Sequence, residues 1–168
     1  MVYVVMGVSG CGKSTVGRGL AKELGVNFYD GDDFHPLENK HKMANGKALT
    51  LEDRLPWLIS ISKHIRQWNT LDGGAVIACS ALQKVYRDLI ETGGDVTFVY
   101  LKGSYEVLSA RLNSRKDHFM PPALLHSQLA TLEEPQESIT VDIDQSPDAI
   151  IKTILINIPA ETTNEYTF

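Results

Sequence analysis

Short apolar runs alternate along the chain with longer segments whose apolar positions recur every three or four residues. Val2–Met6 is apolar and mostly β-branched, which predicts a buried strand. Ser14–Leu24 reads as a helix stopped by Gly25, and Asn27–Asp30 as a second short strand. Leu51, Leu55, Leu58, Ile61, Ile65 and Trp68 fall at helical spacing and predict a helix over 51–68. Gly73 and Gly74 break the chain before a third strand, Ala75–Cys79. Leu82–Glu91 reads as helical, Val96–Leu101 as a fourth strand, and Tyr105–Ser114 and Ala123–Leu132 as helices. Ile139–Ile143 is a fifth strand, and Pro147 opens a last helix running to about Asn157. There is no internal repeat. Strands separated by helices predict an α/β fold with a five-stranded parallel sheet and helices on both faces. The strands lack in-out alternation, as a sheet covered on both sides requires. Ligands of such sheets bind beyond the carboxyl ends of the strands. The second strand is expected beside the first.

Composition narrows the picture. The 168 residues fit one domain, taken as 1–158, with a polar tail at 159–168 expected to fray. Sixteen basic against 21 acidic residues leave a net charge of −5, which argues against a nucleic-acid partner. Cys11 and Cys79 show no C-x-x-C spacing and are expected to be free thiols of a reducing compartment. The apolar N-terminal stretch has no basic flank and meets Gly7, and no run approaches the ~20 apolar residues of a membrane span. A cytoplasmic protein without membrane association is the expectation.

The strongest chemical signal follows the first strand. Gly7, Val8, Ser9, Gly10, Cys11, Gly12, Lys13 and Ser14 complete G-x-x-x-x-G-K-[ST], with Thr15 next. Glycines in this pattern let backbone N–H groups turn toward phosphate oxygens, and the helix N-terminus adds a favourable field. Lys13 is placed for the β- and γ-phosphates of a nucleotide, and Ser14 for Mg²⁺. The bland alternative is a chance glycine-rich turn, which a full match between strand and helix outweighs. A guanine-reading N-K-x-D is missing: Asn39-Lys40-His41-Lys42 lacks the Asp and lies too early. Small size and a short first crossover point to a small-molecule kinase.

Asp30-Gly31-Asp32-Asp33-Phe34-His35-Pro36 follows the second strand. A solvated surface turn tolerates three carboxylates in four residues. At a strand end near the phosphate loop, they also suit a metal site and a carboxylate that orients an attacking hydroxyl. Residues two apart on an extended chain share a face, so Asp30 and Asp32 are expected to line one cleft. Asp142 and Asp144 read as loop residues.

The segment DGDDFHPLENKHKMANGKALTLEDRLPWL resembles the signature of gluconate kinases. So do ACSAL at Ala78–Leu82, the run Tyr86-Arg87-Asp88, and HFMPPALLHSQLATLEEP at His118–Pro135. The likeness reaches to about Ile156. It implies the three-layer P-loop kinase fold of shikimate and nucleoside monophosphate kinases, with a mobile lid at about 115–125. It also implies transfer of the ATP γ-phosphoryl group to the 6-hydroxyl of D-gluconate, with Mg²⁺. Departures include Cys11 where Ser is common, Ala48 for Pro, Gln83 for Lys and Asp117 for Gly. Thr50 and Glu52 also stand near positions usually Asp. None removes a phosphate-loop glycine, Lys13, Asp32 or Arg54.

A polyol acid needs one cation for its carboxylate and neutral groups for its hydroxyls. Arg54 is the candidate cation, since a guanidinium fork matches a carboxylate; a salt bridge to Glu52 or Asp53 is the bland alternative. His35 and Ser80 are candidate hydroxyl partners, and Lys42 and Lys84 candidate aids to substrate or phosphates. His41 and His64 carry no functional reading, and Trp57 and Trp68 read as packing. By the resemblance, Arg111 sits against adenine and phosphates, and Arg115, ahead of Lys116, Asp117 and His118, belongs to the lid. The loop Asp144–Pro147 is the implied adenine contact. Lys13, Asp32 and Arg115 are the catalytic candidates, Ser14 a direct Mg²⁺ ligand and Asp30 one through water. Asp32 is expected to receive the 6-hydroxyl proton late, with an ordinary carboxylate pKa. A shikimate-type small-alcohol kinase and a nucleotide-binding regulatory module without turnover are the alternatives. A homodimer is implied by the family alone.

Overall fold

The computed structural model describes residues 1–115 and 122–159. Five strands form one parallel sheet: β1 (Val2–Met6), β2 (Asn27–Asp30), β3 (Ala75–Ala78), β4 (Val96–Lys102) and β5 (Ile139–Asp142). Their order is β2-β3-β1-β4-β5. The helices are α1 (Lys13–Leu24), α2 (Leu37–Ala44), α3 (Leu51–Thr70), α4 (Lys84–Glu91), α5 (Tyr105–Asn113), α6 (Pro122–Thr131) and α7 (Pro147–Asn157). Both faces of the sheet are covered. Tyr3 and Val5 join one apolar cluster with Leu20 of α1 and Ile150 and Ile154 of α7. Val2, Val4 and Met6 join a second with Leu58, Ile61 and Ile65 of α3 and Ile90 of α4. Alternating β1 residues thus feed opposite layers, which explains why the strand shows no polar alternation. Among the described residues no helix is long and apolar enough to cross a membrane.

The expected neighbour of the first strand is corrected. β3, not β2, pairs with β1, and β2 lies outside it at the sheet edge. The edge position leaves β2 only partly buried. It also puts the carboxyl end of β2 one strand further from the phosphate loop, although Asp30 and Val5 both register with Ala78.

The acidic segment also departs from an extended chain. Gly31–Phe34 is a 3-10 turn, capped by the Asp30 carboxylate, which accepts the Asp32 N–H at 3.0 Å. The periodic pattern did not reveal α2, because Asn39 is its one buried residue and no apolar stripe marks it. The fourth helix begins at Lys84, later than expected. Before it, Ala81 takes a left-handed φ of 44° and Gln83 is extended. Of the expected lid range 115–125, Arg115 follows α5 and 122–125 lie in α6, while 116–121, with Lys116, Asp117 and His118, lie outside the described residues, as do 160–168 of the tail.

An aromatic cluster fixes the acidic turn to the fold. Tyr29 of β2 stacks on the buried Trp68 of α3 with centroids 4.3 Å apart, and Phe34 packs against both Trp68 and His64. Trp57 donates from Nε1 to the Gly31 carbonyl at 2.7 Å. Both tryptophans are packing residues, and His64 has a structural place.

Candidate active site

β1 ends at Met6 and the chain turns through the glycine loop into α1. Gly12 occupies the N-cap of α1 with φ 91°, a backbone state that costs glycine little. Gly7 has φ 148°, and an added Cβ would come within 2.7 Å of the Cys11 Sγ, so side chains are excluded by space as well as by backbone. Within the loop, Cys11 N–H bonds to Val8 O and Val16 N–H to Gly12 O. The N–H groups of Gly10, Gly12, Lys13, Ser14 and Thr15 find no acceptor among the described residues. These five donors at a loop and helix N-terminus make a concave nest suited to phosphate oxygens.

Lys13 folds back over this nest. Its Nζ donates to Gly7 O at 3.0 Å and Val8 O at 3.2 Å, and no carboxylate pairs with it among the described residues. An ammonium held by neutral carbonyls keeps its charge available to a phosphate. Cys11 is fully buried beneath the loop, and burial pushes its thiol pKa up, with the Lys13 charge opposing. Both cysteines are free thiols. Val8 is buried as well, so its carbonyl and not its side chain serves the loop.

Asp32 lies within the electrostatic reach of Lys13. Partial burial pushes the Asp32 carboxyl above the ordinary carboxylate range, Asp30 and Asp33 push the same way, and Lys13 opposes them. The expectation of an ordinary pKa is therefore corrected upward. The residue keeps exposed surface, and its carboxylate accepts no hydrogen bond among the described residues. Asp30, by contrast, spends one oxygen on the turn. Ser14 stands half-buried in the first turn of α1. These two offer hard oxygen donors. Among the described residues no cluster of three His, Cys, Asp or Glu side chains forms a metal cage.

The acceptor candidates gather around the 3-10 turn, α2 and α3. His35 is 7% exposed and stacks on Trp57 with centroids 4.0 Å apart. Asn39 Nδ2 lies 3.2 Å from His35 Nδ1 and 2.7 Å from Asp53 O. An amide nitrogen donates, so Nδ1 accepts and the ring proton sits on Nε2. Burial, with the Arg54 and Lys40 charges, lowers the His35 pKa to about 4, leaving a neutral ring and an Nε2–H donor at pH 7. Arg54 is half-buried; its Nη1 donates to the Tyr86 hydroxyl at 3.0 Å, and Cζ lies 5.3 Å from the Tyr86 ring centroid. It pairs with neither Glu52 nor Asp53.

Asp53 is committed elsewhere. It forms a capping box with Thr50 and a 2.7 Å ion pair with Lys42, whose hydrogen bond holds its carboxyl at about 2. Lys42 thus ties α2 to α3, and its ammonium is already paired. Ser80, just past β3, accepts the Gly7 N–H through its carbonyl at 3.3 Å, with its hydroxyl exposed. Lys84 is not brought to this cluster. It forms an exposed i,i+4 pair with Asp88 in a separate acidic groove with Glu91 and Glu133.

On the far side of the loop a second cleft is lined by Gly10, Gly12, Thr15, Arg111, Arg115 and Pro147. Arg111 donates to Ile143 O, which fixes it beside the loop after β5. Arg115 stands exposed just beyond α5. Pro147, the last residue of the expected adenine loop, and both arginines therefore border the phosphate nest. Three contacts had no clear mark in the residue pattern: Tyr86 under Arg54, Asn39 under His35, and Gln128 of α6 against Ser9. All three fall inside quoted signature segments, which was the available signal.

A family model for shikimate kinase matches residues 9–158. A probable gluconokinase of Xenopus tropicalis is 45% identical, the match covering 92% of this chain and 91% of that protein. Among solved structures, a gluconokinase from Sinorhizobium meliloti 1021 superposes with a TM-score of 0.83 at 42% identity, covering 92% of this chain and 89% of that one. A sugar kinase from Janibacter sp. HTCC2649 superposes with a TM-score of 0.84 at 45% identity, covering 92% of each chain.

Proposed function

The chain belongs to the gluconokinase family, and from that premise we propose that it transfers the γ-phosphoryl group of ATP to the 6-hydroxyl of D-gluconate. The products are 6-phospho-D-gluconate and ADP. The observation that carries this reading is an uncommitted cation beside a neutral donor: Arg54, without a carboxylate partner among the described residues, close enough to His35 to depress its pKa. A carboxylate with hydroxyls is what such a pair binds.

The nest of Gly10, Gly12, Lys13, Ser14 and Thr15 N–H groups takes the phosphates, and Lys13 leaves the Gly7 and Val8 carbonyls to follow the γ-phosphate. The Arg111 and Arg115 cleft takes the nucleoside end, Arg115 adding charge to the transferring group. Arg54 fixes the gluconate carboxylate, while His35 Nε2–H and Ser80 meet hydroxyls. The 6-oxygen attacks phosphorus in line, the bond from phosphorus to the β,γ-bridging oxygen breaks, and ADP leaves with that electron pair. Asp32 aims the 6-hydroxyl and receives its proton late, as a loose transition state permits. Ser14 directly and Asp30 through water would hold Mg²⁺, which takes few protein ligands and completes its shell from phosphates and water. When bound, the ion neutralises charge on the β- and γ-oxygens. Residues 1–158 are the catalytic unit in this reading, and two free buried thiols support a reducing, cytoplasmic setting.

A coupled ADP-release assay with gluconate, shikimate, glucitol and nucleoside monophosphates tests the assignment. The highest kcat/KM is expected for gluconate. Preference for shikimate, or nucleotide binding without acceptor-dependent ADP release, overturns it.

A further inference from the structure

We propose that Gln128 of α6 is a positioning residue that turns Ser9 into a hydrogen-bond donor for the terminal phosphate of the nucleotide. The proposal rests on the kinase reading above and adds to it a residue far from the glycine motif. Gln128 reaches the loop across 119 positions of sequence and bonds it twice. Its Oε1 accepts the Ser9 N–H at 2.8 Å, and its Nε2 lies 3.1 Å from Ser9 Oγ. A backbone N–H can only donate, so the amide orientation is fixed by chemistry: Oε1 faces the N–H and Nε2 donates to Oγ.

Two consequences follow. First, the Ser9 N–H is taken out of the phosphate nest, which therefore starts at Gly10. Second, Oγ accepts from Gln128 and must send its own proton elsewhere. Among the described residues nothing accepts that proton. The Ser9 hydroxyl is left as a directed donor on the rim of the loop.

The location of this rim says which phosphate it serves. The peptide joining Val8 to Ser9 is held from both ends: its N–H by Gln128, and its carbonyl by the Lys13 ammonium at 3.2 Å. Lys13 is the group that follows the γ-phosphate, so Ser9 stands on the shoulder where that phosphate arrives. The N–H groups at the start of α1 lie at the opposite end of the loop and suit the inner phosphates. Gln128 is half-buried and Ser9 is half-buried, so the pair is partly shielded from water without being closed to a ligand.

The test measures the affinities of ADP and of the β,γ-imido analogue of ATP, both with Mg²⁺, by calorimetry. Gln128→Ala is expected to lower the ratio of analogue to ADP affinity by about tenfold, the scale of one hydrogen bond to a charged group. Ser9→Ala should lower the ratio to the same extent. The double variant should be no worse than either single one, because both remove the same contact. Ser9→Ala keeps the backbone bond to Oε1, so it decides the matter even if Gln128→Ala does not fold. An unchanged ratio in Ser9→Ala, a Gln128→Ala that weakens both nucleotides equally, or additive losses in the double variant overturns the proposal. Failure of the unsubstituted chain to bind either nucleotide overturns the kinase reading and the proposal together.

Discussion

Arg54 is held by Tyr86, a neutral partner on a different helix, through a 3.0 Å hydrogen bond and a guanidinium lying over the ring. A carboxylate partner would have neutralised Arg54. The phenol instead orients the fork and leaves its charge for a ligand. Arg54→Met should therefore raise the KM for gluconate by at least about 30-fold, the low end of losing one partner of a desolvated charge pair, with KM for ATP nearly unchanged. Tyr86→Phe keeps the ring and removes only the hydroxyl acceptor, so its KM for gluconate should rise about two- to tenfold. Steady-state kinetics with each substrate varied separately provide the check. An unchanged KM in Arg54→Met places the carboxylate elsewhere.

Lys13→Ala should abolish most transfer while the chain stays folded. The ammonium contacts two loop carbonyls and makes no ion pair among the described residues, so its removal costs little packing. In the proposed reaction its charge stands where negative charge develops, and loss of one such group typically lowers kcat by about 10²–10³-fold. The measurement is kcat beside a thermal melt. A folded variant with near-normal kcat contradicts the role.

His35 gives the fold a dependence on acid. Its pKa is near 6.5 in an unfolded chain and about 4 in the folded one. Between these values the unfolded chain binds more protons, so acid favours unfolding. The contribution is complete above about pH 6.5 and is lost as pH falls toward about 4, amounting to at most about 3 kcal/mol. Urea unfolding between pH 4.5 and 7.5 should show stability rising with pH, with a shallower slope in His35→Gln. Equal slopes in the two proteins would show that the ring is not the responsible group.

The sequence pattern revealed most where burial is periodic. The five strands and α1, α3, α5, α6 and α7 carry apolar spacing that survives folding almost unchanged. α2 carries none, because its inward residue is the polar Asn39, and its place is set by His35 and Asp53. Strand order was not legible either: a local pattern says that β2 is a strand, but only pairing energetics across the sheet puts β3 between it and β1. The phosphate loop is contiguous and could be read whole. The candidate acceptor cluster is assembled from the 3-10 turn, α2, α3 and α4, so single residues such as Arg54 were visible while its contact with Tyr86 was not.

Asp30 and Asp32 differ in what their carboxylates already hold. Asp30 caps the turn, and the Asp32 carboxylate is uncommitted among the described residues. Asp32→Asn should lower kcat by at least about two orders of magnitude, the low end for a general base, with ATP affinity nearly unchanged. Because the Asp32 pKa is raised, the acidic limb of the kcat–pH profile should lie above the ordinary carboxylate range. Activity should fall as Asp32 becomes protonated on lowering the pH. A kcat within about threefold of the unsubstituted enzyme would end the assignment.

The central claim is that phosphoryl transfer occurs, and occurs at the 6-hydroxyl of gluconate. Carbon-13 NMR of the product formed from ATP and gluconate tests it directly. Phosphorus coupling is expected on the C6 and C5 resonances and on no other carbon, with C6 displaced from its position in free gluconate, appearing in step with ADP. Coupling at C4 or at any carbon nearer the carboxylate, or ADP formed without any phosphorylated gluconate, contradicts it.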